Sequence, residues 1–261
     1  PSEVRYGERV LQPTRLEQRI DVWARRILAS TPRTGFRAGL VEFGVFLVKQ
    51  AWACLFGVLL LIAIVLVRTL YPADLALTRN DLLTLIAIGI QIVMLVTRLE
   101  AGRELWVIMI FHVVGTVMEL FKTDVGSWHY EAEGFLRIAA VPLFSGFMYA
   151  AVGSYLVRVY RLFDLTFTRY PPVWITAIVA ALIYANFFTH HWIADMRWWI
   201  TAAVVALWGP TIMHARFWRR RLKLPLIVIF VGAAGFIWIA ENIGTGAGAW
   251  LYPNQLDGWQ M

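Results

Sequence analysis

Apolar residues in this chain are laid down in blocks long enough to cross a bilayer, and no other feature constrains the fold as much. Residues 51–67 run without one charged side chain, and a spanning helix needs about 20 apolar residues, with about 17 as the lower limit. Such blocks predict seven crossings, at 46–67, 82–97, 105–121, 137–157, 173–188, 198–213 and 225–241. The fold class is therefore an all-α, polytopic helical membrane bundle. Composition agrees, with 59% apolar and 16% charged residues, which is not the makeup of a soluble domain.

Short charged or proline-marked links join the blocks, so residues 45–261 read as one transmembrane domain preceded by a cytoplasmic region, 1–44. In that region Thr14 and Glu17 have capping-box spacing, and Leu16, Ile20, Trp23 and Ile27 follow on one helical face. Arg15, Arg19, Arg25 and Arg26 lie among them. That pattern suits a helix in the headgroup layer, with membrane lipids as partners, or equally one packed on the protein's own loops. No early apolar run is followed by a small-residue cleavage site, so no signal peptide is read.

Orientation follows from the basic residues. With the amino terminus in the cytoplasm, 19 of the 24 Lys and Arg fall on the inner side, the bias expected of cytoplasmic loops. The expected location is the bacterial cytoplasmic (inner) membrane, multi-pass. The basic residues follow membrane topology and form no groove-sized patch, so nucleic acid is not an expected partner. The single cysteine, Cys54, excludes a disulfide framework, a cysteine metal cluster and cysteine nucleophile chemistry.

One segment is duplicated. Glu119, Thr123, Gly126, Trp128 and Tyr130 recur as Glu241, Thr245, Gly248, Trp250 and Tyr252, all at an offset of 122. The chain thus reads as two parallel four-helix halves, about 45–157 and 173–261. The same offset predicts an eighth span beginning near residue 259 and continuing beyond 261.

Each copy sets a carboxylate at the external end of a span and returns Trp and Tyr to the interface. Thr, Gly and the aromatic pair also satisfy a purely structural turn, whereas an ionisable group inside a span is costly and usually has a functional partner. The link between the fifth and sixth spans adds Asn186, His190, His191, Asp195 and Arg197 on the same face. If that link is helical, His191 and Asp195 share a side of it, and His190 and His191 do not. Candidate catalytic residues are Glu119, Glu241, His190, His191 and Asp195. Candidate substrate-binding residues are Lys122, Trp128, Tyr130, Asn186, Arg197, Asn242, Trp250 and Tyr252. His191, Asp195, Glu119 and Glu241 also offer donors for a single divalent metal, since imidazole and carboxylate suit zinc or iron. A hydrogen-bonded loop closure by Asp195, Arg197 and His191 competes with that reading. Five histidines are too few for a membrane di-iron site. His112, seven residues before Glu119, reads as a buried histidine bonded to a neighbouring helix, and His214 as an interface residue.

At FHVVGTVMELFKTDVGSWHY (111–130), VPLFSGFMYAAVGSY (141–155), NFFTHHWIADMRW (186–198) and IWIAENIGTGAGAWLYPNQLDGW (237–259) the chain resembles the YoaT-like family of bacterial integral membrane proteins. The resemblance implies a membrane location and no particular reaction. The turn is also similar, over one short stretch, to motifs of membrane carotenoid hydratases and cyclases. The expected function is acid–base or metal-assisted chemistry on a lipid, isoprenoid or pigment entering from the bilayer, with Glu119 and Glu241 as acid and base. Two alternatives are a non-catalytic subunit or assembly factor working with membrane-protein partners, and a transporter. The transporter reading suits parallel repeats, but the polar residues gather at one face and not at the midplane.

Overall fold

The computed structural model describes residues 14–30, 34–100, 103–131, 133–216 and 221–259, with backbone alone at 103, 104 and 221. The chain is mostly helical, and its described part folds as two units, residues 163–236 and residues 14–162 with 237–259.

The larger unit begins with α1 (Arg15–Ala29), whose start is the expected capping box. The Thr14 hydroxyl accepts the Glu17 N–H at 3.3 Å, and the Glu17 carboxylate accepts the Thr14 N–H at 2.7 Å. Glu17 also pairs with Arg161, and Asp21 with Lys49 at 2.9 Å, clamping the helix to the bundle. Ala24 and Leu28 face inward, while Leu16 and Trp23 of the expected lipid-facing stripe stay exposed beside the arginines. The part of the amino-terminal region before residue 14 lies outside the described residues.

The first expected span is broken. Helices α2 (Phe36–Ala53) and α3 (Leu55–Leu70) meet at Cys54 with a bend of 69°. The Arg158 guanidinium donates to the Trp52 carbonyl at 3.2 Å and lies 5.7 Å over the Trp52 ring. A side chain that captures a helical carbonyl in this way is a recognised cause of a sharp kink. After α4 (Arg79–Val96) and α5 (Arg103–Asp124), the expected fourth span opens with a two-stranded hairpin, β1 (Arg137–Ile138) and β2 (Val141–Pro142), before α6 (Phe144–Leu162). Small residues let α5 and α6 close on each other. A Cβ at Gly115 would stand 2.2 Å from the Tyr149 ring, and one at Gly146 2.5 Å from the Thr116 hydroxyl.

Two polar layers bracket this unit. At one end Glu100 and Arg158 form a fully buried ion pair at 3.2 Å, with Gln91 and Ser154 filling the remaining carboxylate positions. At the other end Arg68 pairs with Glu131 and donates to Asn80 at 2.7 Å. Nearby, Asp81 accepts the backbone N–H groups of Phe135 and Leu136. Between the layers lies an apolar core that includes Leu60, Ile64, Leu83, Phe144 and Trp250.

The smaller unit holds α7 (Val173–Thr189), α8 (Arg197–Trp208), the first half of α9 (Leu226–Gly246) and a three-stranded antiparallel sheet. Its strands, β3 (Thr166–Thr168), β4 (Ile212–Arg216) and β5 (Arg221–Pro225), pair in chain order, Thr166 opposite His214 and Met213 opposite Leu224. The all-α expectation is corrected here. The sixth block stops being helical at Trp208 because Gly209-Pro210 ends the helix, and the basic link becomes a hairpin. His214 is accordingly a buried strand residue whose Nε2 lies 3.1 Å from the Thr168 hydroxyl. Arg219 and Arg220 of the hairpin link lie outside the described residues.

By length and apolarity three described helices can cross a membrane: α4, residues 105–124 of α5, and α9. The bent α2–α3 pair makes a fourth if counted as one span. The protein is a membrane protein by this measure.

Candidate functional site at the paired glutamate turns

The two copies of the duplicated segment fold alike. Each helix ends on a glycine in the left-handed region, Gly126 at φ 73° and Gly248 at φ 74°, a conformation that costs a residue with a Cβ. The Ser127 N–H then bonds the Lys122 carbonyl at 2.8 Å, and the Ala249 N–H bonds the Gly244 carbonyl at 3.0 Å. Thr123 and Thr245 turn their hydroxyls back onto the carbonyls of Glu119 and Glu241, at 2.8 and 3.0 Å. The arms beyond the glycines lie side by side, because His129 and Leu251 exchange both backbone hydrogen bonds, at 2.8 and 2.9 Å, in an antiparallel bridge. Trp128 and Tyr252 meet edge to face across it, ring centres 6.1 Å apart.

Glu119 is buried and its carboxylate is held by three neutral donors. Trp128 Nε1 and the Tyr130 hydroxyl donate to Oε2 at 2.7 and 2.8 Å, and the Tyr149 hydroxyl donates to Oε1 at 2.9 Å. Glu241 is exposed near the carboxyl-terminal end of α9 and receives the Tyr252 hydroxyl, which is bonded in turn by Trp250. The two carboxylates are near enough to interact electrostatically. Burial and then the Glu241 charge push the Tyr252 phenol up to about 12. Burial and then Glu119 hold the Tyr130 phenol well above its ordinary range. Both phenols therefore keep their protons at neutral pH and remain donors.

Beside Glu241 opens a cavity of about 220 Å³, lined by Trp238, Glu241, Asn242, Thr245, Tyr252 and Asn254. Trp238, Glu241 and Asn242, with Thr245 one turn on, share the helix face that helical spacing gives them.

The other candidates build a loop of their own in the smaller unit. The segment 190–196 is not helical, so the side-sharing expected of His191 and Asp195 does not apply. His190 caps α7, its Nδ1 lying 3.0 Å from the Asn186 carbonyl. Because the chain leaves the helix there, the His190 and His191 rings lie 4.1 Å apart, contrary to the helical expectation. Asp195 accepts the Arg197 N–H at 2.9 Å and the Asn186 amide at 3.1 Å, and pairs with the Arg197 side chain. These bonds, the backbone one foremost, hold the Asp195 carboxyl down at about 2. The loop-closing network is thus present for Asp195 and Arg197. Among the described residues no group of three or more His, Cys, Asp or Glu side chains is placed to hold a metal ion. Lys122 is buried on α5. His112 is half-buried against Gly146, and its ring meets Phe147 edge to face at 4.6 Å.

Sequence reasoning missed Tyr149, the third donor to Glu119, and Trp238, which walls the cavity. The signal for Tyr149 was Gly115, whose missing Cβ makes room for the Tyr149 ring. Trp238 was legible as the residue three before Glu241 on the same helix.

These features define a mostly helical membrane protein with a paired carboxylate turn. The chain matches the family described as "Protein of unknown function (DUF817)" over residues 42–261 and belongs to it. It is 40% identical over 222 residues to the uncharacterized protein YoaT of Bacillus subtilis (strain 168), covering 85% of this chain and 82% of that protein. No solved structure matches it.

Proposed function

We propose that this is a bacterial inner-membrane enzyme whose paired glutamate turns face the exterior and perform proton transfer on a lipid or isoprenoid substrate reaching the site from the bilayer. The observation that carries the reading is the unequal setting of the two carboxylates. Glu119 is a saturated, buried acceptor that fixes Trp128, Tyr130 and Tyr149, whereas Glu241 has one phenol partner and an open cavity beside it. Two carboxylates in unlike environments can divide the roles of fixed charge and mobile proton carrier. Glu241 is then the group that gives or takes the proton, with Tyr252 orienting it, and Glu119 is a positioning residue.

The orientation rests on the excess of Lys and Arg in the segments assigned to the cytoplasm. The seven crossings and the two parallel halves belong to this proposal also. In support, α5 shifted by 122 residues lands on 225–246, within one residue of α9 (Leu226–Gly246). His190, His191 and Asp195 serve in it as a closed external link.

Mass spectrometry of lipophilic molecules retained through purification tests the reading. A stoichiometric lipid or isoprenoid is expected, altered in amount or structure in Glu241→Gln. A stoichiometric protein partner with no retained small molecule, unchanged in that variant, would favour the non-catalytic subunit instead.

A further inference from the structure

We infer that the cavity beside Glu241 holds an organic ammonium group, so that the polar end of the molecule taken up at this site is positively charged. The inference deepens the proposed reading and rests on it for the location of the site. The chemistry comes from the lining. Glu241 presents a carboxylate, and among the described residues no Lys or Arg forms an ion pair with it. Glu119, close enough to be felt electrostatically, adds a second acidic group behind it. Charge of one sign gathered at a cavity favours a ligand of the other sign.

The walls narrow the cation to an organic one. Trp238 and Tyr252 bring aromatic rings to the same cavity as the carboxylate, and the negative face of an aromatic ring attracts ammonium groups, most strongly when water is displaced. Asn242 and Asn254 line the same space with amides that accept N–H or O–H donors. The Asn242 Nδ2 is itself engaged with the Trp238 carbonyl at 2.7 Å. A bare metal ion is less well suited, because Glu241 is the one charged ligand in the lining and no metal-holding group of three His, Cys, Asp or Glu side chains is found among the described residues. The cavity, at about 220 Å³, far exceeds the space one water requires, enough for a small headgroup. Its position at the outer end of an apolar helix suits the amine of a lipid headgroup as well as a free amine.

The test uses the full chain in detergent and follows its unfolding temperature against choline, ethanolamine and 3,3-dimethylbutan-1-ol, the last a neutral isostere of choline. Stabilisation that rises with ligand concentration reports binding to the native state. Choline or ethanolamine should stabilise the protein and the neutral isostere should not. Glu241→Gln should weaken the response about tenfold or more, and Trp238→Leu should weaken it for choline, on the scale of a lost ion pair or cation–π contact. Both variants should still melt cooperatively. Repeating the titration in vesicles separates the sources: phosphatidylethanolamine vesicles that abolish the response, where phosphatidylglycerol vesicles preserve it, assign the site to a lipid headgroup, and an equal response in both assigns it to a free amine. The proposal is overturned if the isostere acts as choline does, if no amine stabilises the protein, or if Glu241→Gln responds like the wild type. A neutral lipid that co-purifies and is released by Glu241→Gln would likewise overturn the ammonium assignment while leaving the proton-transfer site intact.

Discussion

Glu119 collects three donors, two from its own turn and one from α6, so its removal should be felt well beyond its own position. Glu119→Leu leaves the phenols of Tyr130 and Tyr149 and the Trp128 indole without their acceptor, and each buried polar group so stranded costs about 1–3 kcal/mol. Tyr149→Phe removes a single bond and should cost about 1 kcal/mol. Thermal unfolding in detergent should therefore rank Glu119→Leu well below Tyr149→Phe and wild type. Gly115→Ala acts on the same bond from the other side, since its Cβ would overlap the Tyr149 ring at 2.2 Å. A loss of about 1–3 kcal/mol, typical of an overpacked site, is expected. Asp195 gives a pH dependence. Its proton affinity is lowered in the folded chain, to about 2, so its contribution is complete above the ordinary range near 3.8 and is lost as pH falls towards 2. Amide protection in the link between α7 and α8, taken relative to the unstructured chain, should hold at pH 5 and fall below about pH 4, and Asp195→Asn should be less protected at pH 5 and converge with the wild type as pH approaches 2.

Among the elements, the bent α2–α3 pair depends on a contact made 106 residues away, from Arg158 to the Trp52 carbonyl. Arg158 is also the cationic partner of buried Glu100. Arg158→Leu leaves that carboxylate uncompensated and should cost about 3–5 kcal/mol, whereas joining it to Glu100→Gln should recover much of the loss. Double-mutant unfolding measures the difference directly. The contact also explains what sequence could and could not foretell. The capping box of α1 was legible because Thr14 and Glu17 are three residues apart and the bonds are local. The break at Cys54 was not, because nothing in the apolar run itself interrupts the helix. The hairpin β4–β5 lay between these cases: Gly209-Pro210 signalled a stop, but hydropathy carried the block on to residue 213. The turns after Glu119 and Glu241 were readable from the repeat, yet Tyr149 comes from a different helix and only Gly115 hinted at its approach.

At the scale of the whole molecule, two segments 122 residues apart in sequence are joined as paired arms, with Glu119 behind one and Glu241 and its cavity behind the other. Everything proposed about function depends on that pairing. The bridge between His129 and Leu251 allows it to be tested by chemistry. Residues that exchange both backbone bonds in an antiparallel pair have Cα atoms about 5.5 Å apart, inside the range a disulfide spans. With Cys54 replaced by Ala, His129→Cys and Leu251→Cys should form an intramolecular disulfide on mild oxidation in intact membranes, seen as a shift in mobility that reductant reverses. Each single-cysteine variant should react with a membrane-impermeant maleimide added from outside the cell. Failure of the pair to cross-link while both single cysteines label from outside would show two external arms that do not meet, and would contradict the shared glutamate site.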